Sequence, residues 1–262
     1  MKRALALLLF LAGCSATPAG TAPSPSPAPT LPAENPAPGN HETAFRDGQG
    51  TLRRYIVHAP PSYPQSKPHP LVLVFHGSPG VAEEMPLLTK MNEVADAHGF
   101  LVVYPRHMYD TAAIAALIDH LTPKWNVDPK RVHAAGFSRG GTFIYELAEK
   151  LPERFGSVSP VSASGGTGNA LTKPPSLITF QGGQDRLRQA WSSTNSNWAK
   201  SAGCSGEKVS SITMEGGPTH IYATTCTGGA EHVVYSVTAM SHLWPADASK
   251  LIWDFFSAHP LA

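Results

Sequence analysis

The sequence predicts an α/β fold with a mostly parallel central sheet and helices on both faces. Three observations lead there. Short continuous apolar runs at residues 70–75 and 100–104 read as strands buried on both faces. Segments with apolar residues at helical spacing separate them. Strand and helix patterns then alternate along the rest of the chain, which is the order of a parallel sheet covered by helices.

Residues 51–59 alternate loosely and end at Pro60 and Pro61, so they read as an edge strand. The run at 70–75 is followed by His76 and Gly77. Residues 83–98 carry Leu87, Leu88, Met91, Val94 and Ala95 at helical spacing and stop at Gly99, a helix-ending residue. The strand at 100–104 closes at Pro105. Residues 110–121 place Ile114, Leu117, Ile118 and Leu121 on one helical face. A strand at 131–135 runs into a Gly-rich turn, and a helix follows at 142–151. Residues 157–162 and 177–180 are further strands, and Asp247 begins a final helix. No internal repeat is present. In such sheets the working residues lie beyond the carboxyl ends of the strands.

The chain has 262 residues, with 20 Lys and Arg against 19 Asp and Glu, a formal net charge of +1. That balance argues against nucleic-acid binding, which needs a basic patch or stripe. Lys2 and Arg3 precede an apolar run at 4–12 that is too short to span a bilayer, which takes ~20 residues. The run ends in Leu11, Ala12, Gly13 and Cys14. This resembles the lipobox of bacterial lipoproteins, so residues 1–13 are expected to be a signal peptide and Cys14 the acylated anchor; an ordinary secretory signal is the alternative. Residues 14–40 are rich in Pro, Ala, Ser and Thr and read as an extended tether. The folded domain is expected over 41–262, exported and held to a membrane through lipidated Cys14. Cys204 and Cys226 are the remaining pair, and in an oxidising compartment they read as a disulfide rather than two buried thiols.

The strand at 131–135 is followed by Gly136, Phe137, Ser138, Arg139 and Gly140, a G-x-S-x-G sequence placed between strand and helix. In that context the motif makes a sharp turn that lifts the serine hydroxyl clear, with the glycines allowing close approach. A helix-capping serine is the plain alternative. A hydroxyl needs a base to remove its proton, and motifs of this kind carry the acid and then the base later in the chain. His242, on a loop after the strand at 233–237, is the candidate base. His220, His232 and His259 are less well placed. Asp185, after the strand at 177–180 and a short turn, is the candidate acid, ahead of Asp247, Asp254 and Glu231. The oxyanion hole should use the backbone amide of Arg139 and one from the loop at 76–80. Pro79 has no N–H, so Gly77 or Ser78 donates, with Ser78 favoured.

The segments 73–77 (LVFHG), 98–105 (HGFLVVYP), 127–132 (VDPKRV), 136–140 (GFSRG), 181–185 (QGGQD), 198–204 (WAKSAGC) and 241–245 (SHLWP) resemble the secreted poly(3-hydroxybutyrate) depolymerases and feruloyl esterases of the α/β-hydrolase fold. The resemblance covers nearly the whole domain in order. It implies a serine esterase with the same Ser138, Asp185, His242 triad and no cofactor, acting on polyester or feruloyl-polysaccharide esters, and it supports the Cys204–Cys226 bridge. Two departures stand out. Gln181 occupies a position where that family usually has His. The segment after Pro105 is reduced to residues 106–109, which predicts a missing pocket wall. A serine peptidase on the same fold and a non-catalytic surface-binding lipoprotein are the competing readings. No metal site is expected, because the cysteines are far apart and no His-x-x-x-His pair exists. Cys226 precedes the strand that delivers His242, so the bridge is expected to confine the base.

Overall fold

The computed structural model describes residues 36–166 and 168–262. The expected signal peptide and Cys14 lie outside the described residues, as does most of the expected tether. One ten-stranded sheet organises the rest, in the order β1-β2-β4-β3-β5-β6-β7-β10-β9-β8. Its central strands are β4 (Leu101–Pro105), β3 (His69–Phe75), β5 (Val127–Phe137), β6 (Ser157–Val161), β7 (Ser176–Gly182) and β10 (Glu231–Val237), all parallel to one another. Antiparallel strands extend both edges: β1 (Gly39–Arg46) and β2 (Leu52–Ala59) on one side, β9 (Gly217–Thr225) and β8 (Ser205–Met214) on the other.

The period-2 alternation of strand side chains divides the core into two layers. Leu71, Leu73 and Phe75 of β3 meet α3 (Thr111–Lys124), α4 (Arg139–Lys150) and the end of α5 (Arg188–Ser201). Val72 and Val74, on the opposite face, meet Met85 of α1 (Met85–Thr89), Met91 and Ala95 of α2 (Met91–His98), and Ile252, Trp253 and Phe256 of α6 (Ala248–Ala258). Every residue of β3 is buried. This is why the strand has no polar face in the sequence.

Three elements differ from the sequence expectation. The strand at residues 51–59 is not an edge, because β1 pairs along its whole length. Residues 83–98 do not form one helix. A 3-10 turn leads into α1, and Lys90 in the left-handed region (φ 53°) separates α1 from α2. Thr89 stabilises the break: its hydroxyl donates to the Met85 carbonyl and accepts from the Met91 amide. Finally, His220 lies in the β8–β9 hairpin, in a stretch that showed no element. Nine of the ten β8 residues are exposed, so burial imposes no alternation there.

Two histidines inside this core are held neutral by burial. His133 on β5 stacks on Phe256 and shares a 2.8 Å hydrogen bond with Ser157 Oγ, and burial lowers its pKa to about 3. Burial lowers His232 on β10 to about 4. The unfolded chain protonates such groups first, near their ordinary value of 6.5. Stability is therefore complete above that value and is lost as pH falls toward the folded values. Each histidine should cost about 2 kcal/mol by pH 5. Urea denaturation at pH 7 and pH 5 should show the loss, and His133→Gln should make the pH dependence shallower.

Candidate active site

Ser138 ends β5 and starts α4 with φ 52° and ψ −115°, a conformation that L residues rarely adopt. The local sequence makes it possible. A Cβ on Gly136 would lie 2.5 Å from the Gly140 carbonyl carbon, and one on Gly140 would lie 2.4 Å from the Phe75 carbonyl oxygen. Only glycine lets β5, α4 and β3 converge this closely. The Ser138 amide donates to the Val161 carbonyl at 3.0 Å, which ties the turn to β6.

His242 lies in the loop after β10. Its Nε2 is 2.9 Å from Ser138 Oγ, and its Nδ1 is 2.6 Å from Asp185 Oδ2. The Asp185 side chain is fully buried, and that of His242 is 22% exposed. The other carboxylate oxygen of Asp185 accepts from the Leu187 amide at 2.8 Å, so both oxygens have partners. The structure thus brings Ser138, His242 and Asp185 into one hydrogen-bonded line. The other candidates lie elsewhere: Asp254 pairs with Lys250, Glu231 faces His259, and His220 meets Ser211. Asp247 stands at the N-cap of α6 without a side-chain capping bond.

The segments carrying Asp185 and His242 are linked through their backbones as well. The amide of Gly183 donates to Val237 and that of Gln184 to Met240, at 2.8 and 3.0 Å. A Cβ on Gly182 would lie 2.1 Å from the Met240 carbonyl oxygen, so the loop carrying His242 rests directly on the turn carrying Asp185. Beyond His242, Ser162 Oγ donates to the Leu243 carbonyl at 2.8 Å. The Trp244 indole donates to Ser249 Oγ, which donates to the Thr89 carbonyl. Sequence reasoning did not find Ser162 or Ser249.

The loop after β3 passes close to Ser138: a Cβ on Gly77 would lie 3.3 Å from Ser138 Cβ. The amides of Ser78 and Arg139 enter no backbone–backbone hydrogen bond among the described residues. The shortened segment after Pro105 is firmly held. Arg106 pairs with Glu42 and Glu83 at 2.7 and 2.6 Å, Met108 is buried, and Tyr109 donates to the His76 carbonyl at 2.6 Å. Gln181 exchanges two hydrogen bonds with Asn195 of α5, at 3.0 and 2.9 Å.

A solved acetyl xylan esterase from Aspergillus awamori superposes with a TM-score of 0.67 at 15% identity, over 84% of this chain and 99% of that one. The chain has the α/β-hydrolase fold. No family model matches the chain. Its curated homologues are esterases. NocK of Nocardia uniformis subsp. tsuyamanensis, named as a candidate esterase, is 32% identical over 218 residues, 71% of this chain and 63% of NocK. Feruloyl esterase B of Thermothelomyces thermophilus is 28% identical over 57% of this chain and 58% of its own. Poly(3-hydroxyalkanoate) depolymerase C of Paucimonas lemoignei is 24% identical over 56% and 39%. The chain therefore covers less than two thirds of the length of each of these relatives.

Cys204 and Cys226 form a disulfide that joins the end of α5 to the end of β9. It does not sit where it would confine the base. Cys226 lies near the start of β10, and His242 follows the far end of that strand. The turn carrying Asp185 is hydrogen-bonded to the His242 loop instead. The bridge closes a 22-residue separation, for which chain entropy gives about 3 kcal/mol. Cys204→Ser with Cys226→Ser should lower the Tm by about 6–12 °C. Turnover at 25 °C should stay within about twofold of wild type, because the bridge does not touch the His242 loop.

Proposed function

We propose that this chain is a serine carboxylic ester hydrolase in which Ser138 is the nucleophile, His242 the general base and Asp185 the carboxylate that orients it. One observation carries the reading: Ser138 Oγ lies 2.9 Å from an imidazole whose other nitrogen is 2.6 Å from a buried carboxylate. Asp185 accepts from Nδ1–H and so leaves Nε2 free to take the serine proton. Ser138 Oγ then attacks the ester carbonyl, and a tetrahedral oxyanion forms. The amides of Ser78 and Arg139 are the proposed donors to it. His242 gives its proton to the departing alcohol, which leaves an acyl-enzyme. Water attacks with His242 again as base, releasing the acid and restoring Ser138.

The names of the relatives point to feruloyl esters and poly(3-hydroxyalkanoates) as the first substrates to try. We propose further that the chain is exported and lipid-anchored through Cys14, with residues 14–40 as a tether. Among the described residues no helix is long and apolar enough to cross a membrane.

Ser138→Ala, His242→Ala and Asp185→Asn should each cut hydrolysis of 4-nitrophenyl esters by ~10⁴-fold while circular dichroism shows a folded protein. Near wild-type turnover in Asp185→Asn would move the acid elsewhere. Peptide anilides assayed in parallel should not be cleaved, and cleavage of them alone would favour a peptidase.

Cys14→Ala should abolish lipid attachment, read by incorporation of labelled palmitate in the producing cell. A soluble chain beginning near residue 36, ahead of β1, should keep full esterase turnover. Loss of turnover in that chain would show that the segment before it is more than a tether.

A further inference from the structure

Two peptide planes decide where the amides of the loop after β3 point. In a trans peptide the N–H is directed opposite to the C=O. The His76 carbonyl accepts from the Tyr109 hydroxyl at 2.6 Å, so the Gly77 N–H is turned away from Tyr109. The Gly77 carbonyl accepts from His76 Nδ1 at 2.8 Å, so the Ser78 N–H is turned away from the His76 ring. A carbonyl can only accept, which puts the imidazole proton on Nδ1. Burial holds His76 below the usual histidine range and keeps that ring neutral. The Tyr109 hydroxyl also lies 3.1 Å from the same Nδ1. Burial pushes the phenol up to about 12, so it remains a donor.

The ring of Tyr109 touches the other half of the site. The Arg139 guanidinium sits over it, 4.5 Å from its centre. Phe143 of α4 and His76 meet it edge-on at 5.5 and 5.4 Å. Tyr109 in turn has little freedom. Asp110, the next residue, caps α3 by accepting from the Ala112 amide, and Arg106 is clamped by Glu42 and Glu83. One side chain therefore joins the β3 loop, through its hydroxyl, to the first residue of α4, through its ring.

We propose that Tyr109 is a positioning residue for the oxyanion site: its hydroxyl sets the His76–Gly77 peptide so that the loop amides face the ester carbonyl oxygen, and its ring seats Arg139. The proposal rests on the esterase reading of Ser138. The short segment at 106–109 is then a brace for the anion site and not only a shortened wall.

Tyr109→Phe keeps the ring and removes the donor. With 4-nitrophenyl acetate, kcat per active site should fall ~10-fold, with KM within about twofold, because the interaction lost acts in the transition state. Active sites are counted by the endpoint of fluorophosphonate labelling, which corrects for any misfolded fraction. A trifluoromethyl ketone, which forms a tetrahedral adduct on serine, should lose affinity by a similar factor. Tyr109→Gln, which restores a donor without the ring, should turn over faster per site than Tyr109→Leu. Wild-type kcat per site in Tyr109→Phe, or a loss wholly explained by fewer sites, would overturn the proposal. So would Tyr109→Gln being no better than Tyr109→Leu. A wild-type chain that neither hydrolyses the ester nor labels would overturn the esterase reading, and this inference with it.

Discussion

The turn at Ser138 is the constraint on which the geometry of the site depends. A positive φ at a non-glycine residue is strained, and such strain persists only when the surroundings over-determine it. Here three strands do so. β5 delivers the serine, β6 accepts its amide hydrogen bond, and the end of β3 lies so close to Gly140 that a methyl group would not fit. Ser138 is therefore placed by the centre of the sheet, where every residue of β3 is buried. Its position does not depend on the flexible ends of loops.

The other two members of the line are placed differently. Asp185 and His242 follow neighbouring parallel strands, β7 and β10, paired in register from Leu177 with His232 to Gly182 with Val237. The loops leaving those strands are hydrogen-bonded to each other before either side chain is considered. The sheet thus sets the separation of Asp185 and His242, and their own 2.6 Å contact refines it. The disulfide lies toward the opposite end of β10. The disulfide and His242 therefore lie at opposite ends of the same strand.

What the sequence revealed follows from which forces act locally. The central strands were legible because burial on both faces demands unbroken apolar runs, as in β3 and β4. The nucleophile turn was legible because its steric demand falls on neighbouring residues, Gly136 and Gly140. The β8–β9 hairpin was not, because a solvated strand selects no pattern. The break at Lys90 was hidden because the apolar spacing of Leu87, Leu88, Met91 and Val94 continues across it. Tyr109, Ser162 and Ser249 were beyond reach for another reason. Each acts on a backbone carbonyl 33, 81 or 160 residues away, and no local pattern records a single long-range hydrogen bond.

The turn at Asp185 also leads into α5, which links its placement to how that helix is seated. Asp185 accepts from the Leu187 amide through its side chain and from the Arg188 amide through its carbonyl, so the carboxylate and the first turn of the helix form one unit. A helix held only by apolar contacts can shift along a sheet at modest cost, because dispersion is not directional. A reciprocal amide pair cannot shift without losing both hydrogen bonds. Gln181, on the strand that carries the acid, and Asn195, within α5, make such a pair. Trp191 and Trp198 bury their rings on either side of Asn195 along the same helix. Their packing supplies the non-directional part of the attachment, and the Gln181–Asn195 pair supplies the register. An imidazole in place of Gln181 could not both donate to and accept from one amide side chain through the same short, planar contact. Gln181 thus ties β7 to α5, the helix whose first turn donates to Asp185.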